Sequence, residues 1–504
     1  MRTPGAKRPS TMAFSKARRM RCAVGRVMAA CARKVQSSHP KGAEKSMRRV
    51  VIYNRPESVY IESRGGSHHG QAETGVPVGF RRGHHPAQAG GEAETLQALA
   101  RPASERARVA CTVLMGRIGD AARVAVAEQA LSAYAELDAD QRLAFFRSMR
   151  DDHGVDPQAI REAYAAWDKA PDAAAVADLF RVVEPARQTL LRRLNLAPGA
   201  TLQLVRMRQD LLAAMRADPG LAPIDQDFAH LLASWFNRGF LTMRRIDWNA
   251  PAAILEKLIE YESVHRMEGW GDLKRRLAEN DRRLYAFFHP ATGDEPLIFV
   301  EVALTQGMPD AIGPILTAPE AKLPEPADTA VFYSINNSLA GLKGVSFGNF
   351  LIKQVVAVLK AELPELKTFV TLSPVPGFAA WLAAQTDAPA TELRTALAGD
   401  WPSNPGAVVA LRPQVMAVAA RYILQARARG GQPADPVARF HLGNGAAAHR
   451  LNWPADLSAS AQKTAHGLMI NYLYELDRIE DRHEAFIRDG TVAHGPQLAE
   501  ALKG

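Results

Sequence analysis

Three cysteines in 504 residues are too few to staple a fold of this size, so a disulfide scaffold is excluded and the pattern fits a reducing compartment. Aromatic residues make up 7% of the chain, and no run of about 18 apolar residues occurs, so no membrane-spanning helix is expected. HExxH, CxxC and tight carboxylate clusters are all missing. No metal is therefore expected. Net positive charge is confined to one segment. Residues 1–50 hold 14 Lys and Arg against a single acid, Glu44. Taking this +13 from the total of +9 leaves −4 for the rest. A mildly acidic body offers no phosphate-backbone footprint, and nucleic acid is not an expected partner.

What is present is ordinary globular composition, 47% hydrophobic and 23% charged, in a chain long enough for two or three domains. Residues 1–92 read as a disordered basic leader and linker, rich in Arg, Ser, Gly and His and without apolar periodicity. The first half has the composition of an organelle transit peptide. The competing reading is a dispensable bacterial extension or a start-site artefact. The Ala/Arg bias of the whole chain favours bacterial cytoplasm, with the mitochondrial matrix as the alternative. His68, His69, His84 and His85 have no partners at ligand spacing and read as loop residues.

Residues 93–231 carry apolar residues at helical spacing, and helices are expected over 94–100, 117–135, 140–152, 157–169, 172–195 and 202–216. From 232 to 504 the texture is mixed. Strands are expected at 284–289, 297–304, 330–335 and 367–372, with a helix over 350–363 and interrupted helix over 378–429.

Three features in this second part can carry chemistry. The first is the strand–loop–helix at 330–363. Its loop from Ser338 to Asn349 contains Gly341, Gly344 and Gly348 together with Lys343, a pattern able to cradle phosphate at a helix start. It is neither a P-loop nor a dinucleotide fingerprint. The loop also contains a formal G-x-S-x-G around Ser346. A nucleophile elbow needs its Ser at the turn directly after a strand, and here about ten residues intervene. The second is Ser373, in Ser-Pro-Val-Pro-Gly-Phe after a strand, where prolines stiffen the turn and α/β ligand sites commonly form. The plain alternative is a turn-capping Ser. The third is His441, beside the Asn444-Gly445 turn. A lone His is more often structural than catalytic. Asn452, Trp453, Asp456, Tyr472 and Tyr474 lie close in sequence and could orient it, or could simply cap and pack.

These stretches resemble the malonyl-CoA decarboxylase family. The matching segments are SWFNRGFL at 234–241, PLIFVEVALTQG at 296–307 and VFYSINNSLAGLKGVSFGNFLIK at 331–353. LSPVPGF at 372–378, FHLGNGA at 440–446, RLNWPADLS at 450–458 and GLMINYLY at 467–474 follow in the same order. The resemblance covers most of 232–478. It implies an α+β chain, an N-terminal all-helical domain for oligomer contacts followed by a GNAT-like mixed α/β catalytic domain. It implies conversion of malonyl-CoA to acetyl-CoA and CO2 without a cofactor, by a homo-oligomer, dimer or tetramer. The family's catalytic Ser falls on Ser373 and its His on His441, with Ser334 and Tyr474 in support. The CoA-binding loop falls on Lys343, Gly344, Val345, Ser346, Phe347, Gly348 and Asn349.

Chemically, loss of CO2 leaves a thioester enolate, which donors in a dry, preorganised site would stabilise. Ser373 is expected to position the carboxylate, with Ser334 assisting, and His441 to protonate C2. The rivals are an acyl-CoA-dependent N-acetyltransferase on the same loop, a non-catalytic acyl-CoA sensor, and a thioesterase acting through Ser346.

Overall fold

The computed structural model describes residues 101–503 apart from 318–326 and 346–349. The leader, the helix expected over 94–100, and Ser346, Phe347, Gly348 and Asn349 lie outside the described residues.

Among the described residues, the N-terminal part is an array of eight helices: α1 Ala103–Met115, α2 Asp120–Ala135, α3 Ala139–Asp152, α4 Pro157–Lys169, α5 Ala173–Val183, α6 Ala186–Leu194, α7 Ala200–Ala214 and α8 Ala222–Trp235. Aspartates start three of them. Asp138 and Gln141 close a reciprocal capping box on α3, while Asp156 and Asp172 accept the first free N–H groups of α4 and α5. The single helix expected over 172–195 is in fact α5 and α6. Pro185 has no N–H to continue α5 and forces Glu184 into extended backbone, then serves as the N-cap of α6. Helix α8 lies beyond the last helix expected, which ends at 216. Pro223 occupies the first turn, where its missing N–H costs nothing.

The sheet follows: β1 Thr242–Ile246, β2 Arg282–Phe288, β3 Ile298–Thr305, β4 Thr329–Asn337, β5 Thr368–Thr371, β6 Ser373–Pro374, β7 Ala447–Asn452 and β8 Met469–Leu473. Its order is β1-β2-β3-β4-β5-β8-β6, with β7 on β8. All pairs are antiparallel except β4 with β5. β1, β7 and β8 were not anticipated as strands. Helices α9 Ala252–Tyr261 and α10 Trp270–Leu277 lie between β1 and β2, α11 Gly313–Thr317 between β3 and β4, and α12 Phe350–Glu362 between β4 and β5. Then come α13 Phe378–Ala383, α14 Ala388–Leu397, α15 Pro405–Gln425, α16 Pro436–Gly443, α17 Ala459–Ala465, α18 Ile479–Asp489 and α19 Pro496–Ala501. This is the α+β arrangement that the resemblance implies.

One apolar core runs through both parts, from Leu114, Leu131 and Leu204 in the helices to Phe287, Val300 and Phe332 on the sheet. Among the described residues one helix, α15, is long and apolar enough to cross a membrane. It carries Arg412 and Arg421. Its buried face, including Val415, Ala419 and Ile423, joins the same core, and Arg421 pairs with Asp387 at 2.9 Å.

Two irregularities open the sheet where the site lies. β4 is bulged against β3, since Glu301 opposes Ser334 and Val302 opposes Phe332. β4 and β5 part after the Phe332–Thr371 pair, and the chain crosses to β8, where Ser373 pairs with Ile470. Pro374 has no N–H and cannot extend the parallel ladder.

Candidate active site

A cavity of about 370 Å³ fills the gap between β4 and β6. Its walls are mostly apolar, including Ile298, Val300, Phe332 and Leu351. Ser334, Ser373, His441 and Asn444 supply polar atoms. Among the described lining residues none is Lys or Arg.

Ser373 and His441 are 68 residues apart and meet in the cavity, Oγ to Nε2, at 3.2 Å. Ser373 arrives on β6. His441 arrives in the last turn of α16, not in the turn after it. Asp435 caps this helix through Val437 and Ala438 N–H at 2.9 Å, with Pro436 in the first turn. Behind His441, Nδ1 lies 2.8 Å from the Tyr474 hydroxyl on the chain after β8. Tyr472 stacks on the imidazole with centroids 4.6 Å apart. Of the residues near His441 in sequence, these two tyrosines touch it. Trp453 instead packs on Trp401, Asn452 bonds Asn471, and Asp456 takes the Ser458 N–H.

The protonation states follow from burial. Desolvation drives the His441 pKa down to about 3, so the ring is neutral. Desolvation also raises the Tyr474 phenol well above its ordinary value, so it keeps its proton. A buried hydroxyl needs an acceptor, and Nδ1 is the one it faces. That donation leaves the imidazole hydrogen on Nε2, directed at Ser373 Oγ. Ser373 in turn donates to Thr371 Oγ1 at 2.8 Å, an oxygen fixed by the Tyr472 N–H at 3.1 Å. Tyr474, His441, Ser373 and Thr371 thus form one directed chain.

The opposite wall is charged. Ser334 donates to the Glu262 carboxylate, 2.9 Å from Oε2, and accepts from Asn336 Nδ2 at 2.7 Å. Asn336 also donates to Glu262, and its own oxygen takes the Ser263 hydroxyl at 2.7 Å. Backbone N–H groups of Val264 and His265 complete the carboxylate's shell. Arg276 balances it, with Nη1 3.9 Å from Glu262 and 3.0 Å from Glu301. Glu262, Thr371 and Asp435 are not among the expected site residues, though the sequence carries one signal for Glu262. Ser334 and Asn336 are polar at alternate positions of an otherwise apolar strand, so they share a face and require a buried partner there.

Of the loop expected to hold CoA, the described part is Lys343, Gly344 and Val345. Lys343 is exposed, Gly344 takes a φ of +78° and Val345 lines the cavity.

Comparison with known proteins gives the family. The malonyl-CoA decarboxylase C-terminal domain matches residues 239–504, and the malonyl-CoA decarboxylase N-terminal domain matches 153–236. The mitochondrial malonyl-CoA decarboxylase of Mus musculus is 32% identical over 403 residues, covering 72% of this chain and 82% of that protein. The crystal structure of malonyl-CoA decarboxylase from Rhodopseudomonas palustris is 48% identical, with a TM-score of 0.76 over 79% of this chain and 99% of that one. The Agrobacterium vitis enzyme is 45% identical, with a TM-score of 0.74 and the same coverage. The chain belongs to the malonyl-CoA decarboxylase family.

Proposed function

We propose that this chain converts malonyl-CoA and a proton to acetyl-CoA and CO2, a carboxy-lyase reaction, with residues 232–504 as its catalytic domain. The observation that carries the mechanism is the buried chain from Tyr474 through His441 to Ser373, set in an apolar cavity whose described lining has no cation.

The loop at Lys343–Asn349 holds the CoA end, and the acyl end reaches the gap between β4 and β6. Ser373 turns its hydroxyl from Thr371 to the carboxylate and holds it out of the thioester plane, against the wall on which Ser334 is fixed by Glu262. The breaking C–C bond then overlaps the π system. A carboxylate with neutral donors in an apolar cavity is poorly solvated, and its charge leaves that position as CO2 departs. The electron pair of the broken bond becomes the thioester enolate. Burial alone sets the low pKa of His441, and the substrate's negative charge opposes it. The imidazolium formed by a proton from solvent directs its Nδ1–H at the Tyr474 oxygen and passes its Nε2 proton to C2, and solvent restores the Nε2 proton for the next cycle.

The helical array, 93–231 in the sequence reading, serves oligomer contacts. The hairpin of α4 and α5 supports this, since α5 buries no residue and Phe180 is 63% exposed. The composition favours bacterial cytoplasm, and the substrate places the enzyme in fatty acid metabolism.

The test follows acetyl-CoA and free CoA separately in protein incubated with malonyl-CoA, beside Ser373→Ala and His441→Ala. Acetyl-CoA that both substitutions depress is the expected result. Free CoA alone would mean hydrolysis, acetylated amine a transferase, and no turnover a sensor.

A further inference from the structure

The loop after β4 is held from outside its own domain. Its first turn, the 3-10 helix Ala340–Leu342, lies against α7 of the helical array. The approach is close enough that a Cβ on Gly341 would stand 1.8 Å from the Val205 carbonyl oxygen, so no other residue fits without moving the helix or the loop. Beside this contact Arg208, also on α7 and 3% exposed, donates from Nη1 to the Gly341 carbonyl at 2.7 Å and the Lys343 carbonyl at 2.9 Å. Its Nε donates to Asp225 on α8 at 2.8 Å, which fixes the plane of the guanidinium. Within the loop, Lys343 and Val345 N–H groups return to Ala340 and Leu342 carbonyls, making successive tight turns with no strand partner. Leu339, Leu342 and Val345 anchor those turns in the apolar core, and the glycine contact and one charged side chain fix them to α7. Val345, two residues beyond the second clamped carbonyl, lines the cavity.

We infer that Arg208 is a positioning residue for CoA. From the helical array it sets the height and tilt of the Lys343–Val345 turn, and thereby the affinity for the CoA portion of the substrate rather than the chemistry at the acyl end. The inference rests on the proposed reading of 343–349 as the CoA loop. It makes the helical array part of the substrate site, and not merely a surface for assembly. Arg suits the task because its planar fork reaches two carbonyls and a carboxylate at once. A lysine ammonium keeps the charge but cannot hold all three in that plane.

The experiment uses the full chain with free CoA as the probe, in wild type, Arg208→Lys, Arg208→Met and Asp225→Asn. Kd for CoA is measured by calorimetry, kcat and KM with malonyl-CoA, and thermal unfolding on the same samples. A tenfold or greater rise in KM and in the CoA Kd is expected for Arg208→Met, of the order produced by losing uniform binding, with kcat within about threefold. Arg208→Lys should fall between it and wild type, and Asp225→Asn should shift in the same direction by less. If Arg208→Met does not fold, the lysine variant carries the decision. Unchanged Kd and KM with a lowered Tm would overturn the inference, leaving Arg208 a role in folding alone. Backbone hydrogen exchange of wild type with and without CoA separates the two levels of argument. Protection at 343–345 with unaltered affinity in the variants sinks the Arg208 inference only. CoA-induced protection elsewhere sinks the loop reading, and this inference with it.

Discussion

The two walls of the cavity hold their polar groups by opposite means. On the His441 wall every member is neutral: a phenol, an imidazole and two hydroxyls in line, with burial keeping them so. On the Ser334 wall the hydroxyl is gripped by a charged pair, Glu262 with Arg276, and the Glu301 carboxyl is held against the same guanidinium. A neutral chain can take up a proton and give it back, because each member exchanges one hydrogen bond for another. A buried ion network resists a change of charge, because removing one partner strands the other without water. Proton transfer accordingly belongs to the first wall and fixed geometry to the second.

That division can be broken by mutation. Ser373→Ala and His441→Ala should lower kcat the most, by about 10²–10⁴-fold, the range of a lost acid–base or positioning group in the transition state. Ser373→Ala should leave thermal unfolding nearly in place, while His441→Ala, which strands the Tyr474 hydroxyl, should lower it. Glu262→Gln comes next. The amide keeps the shape but cannot accept from every donor now aimed at the carboxylate, and it leaves Arg276 short of a counter-charge. Kcat should fall by about tenfold, and, unlike for Ser373→Ala, stability should fall too, by about 3 kcal/mol. A Glu262→Gln enzyme with full stability and a deeper loss of kcat than His441→Ala would reverse the assignment of the walls. Tyr474→Phe should cost least in rate, about tenfold or less. It removes the donor that fixes the imidazole tautomer but leaves Ser373 and His441 in contact.

The same contrast explains what could be read from the amino acids alone. Ser373 was legible because its position depends on local chemistry, a strand ended by Ser-Pro-Val-Pro. His441 was found for a neighbouring reason, since the reading saw the Asn444-Gly445 turn and missed that Asp435 and Pro436 start a helix whose last turn carries it. Glu262 was illegible. Its partners lie 72 and 74 residues away, and nothing in Tyr-Glu-Ser-Val-His announces a buried carboxylate. Helix periods were plain in the array, yet a continuous apolar period over 172–195 hid the break that Pro185 makes. β7 and β8 were recognised as motifs but not as strands. Their sequences mix Asn, Arg and Tyr into short apolar runs, and their pairing is decided by burial against β5 and β6.

The last test uses pH and sets the walls against each other in stability. His441 has a folded pKa lowered to about 3 by burial, below its ordinary 6.5. The unfolded chain therefore binds the extra proton first, and stability is lost as pH falls from about 6.5 toward 3. Glu301 runs the other way. Desolvation, with Glu262 beside it, outweighs Arg276 and lifts its carboxyl from 4.5 to about 8. Here the folded state keeps the proton longer, so its contribution is complete below about 4.5 and is lost as pH rises through 8. Denaturant unfolding of wild type, His441→Gln and Glu301→Gln across this span resolves the two limbs. His441→Gln should flatten the acid limb and Glu301→Gln the alkaline limb, each by on the order of 2 kcal/mol, a fraction of the full linkage because neighbouring groups share the proton. If Glu301→Gln instead steepens the alkaline loss, the carboxylate is ionised in the folded state throughout. Arg276 would then hold two negative charges, and the Ser334 wall would be more rigid in charge than proposed.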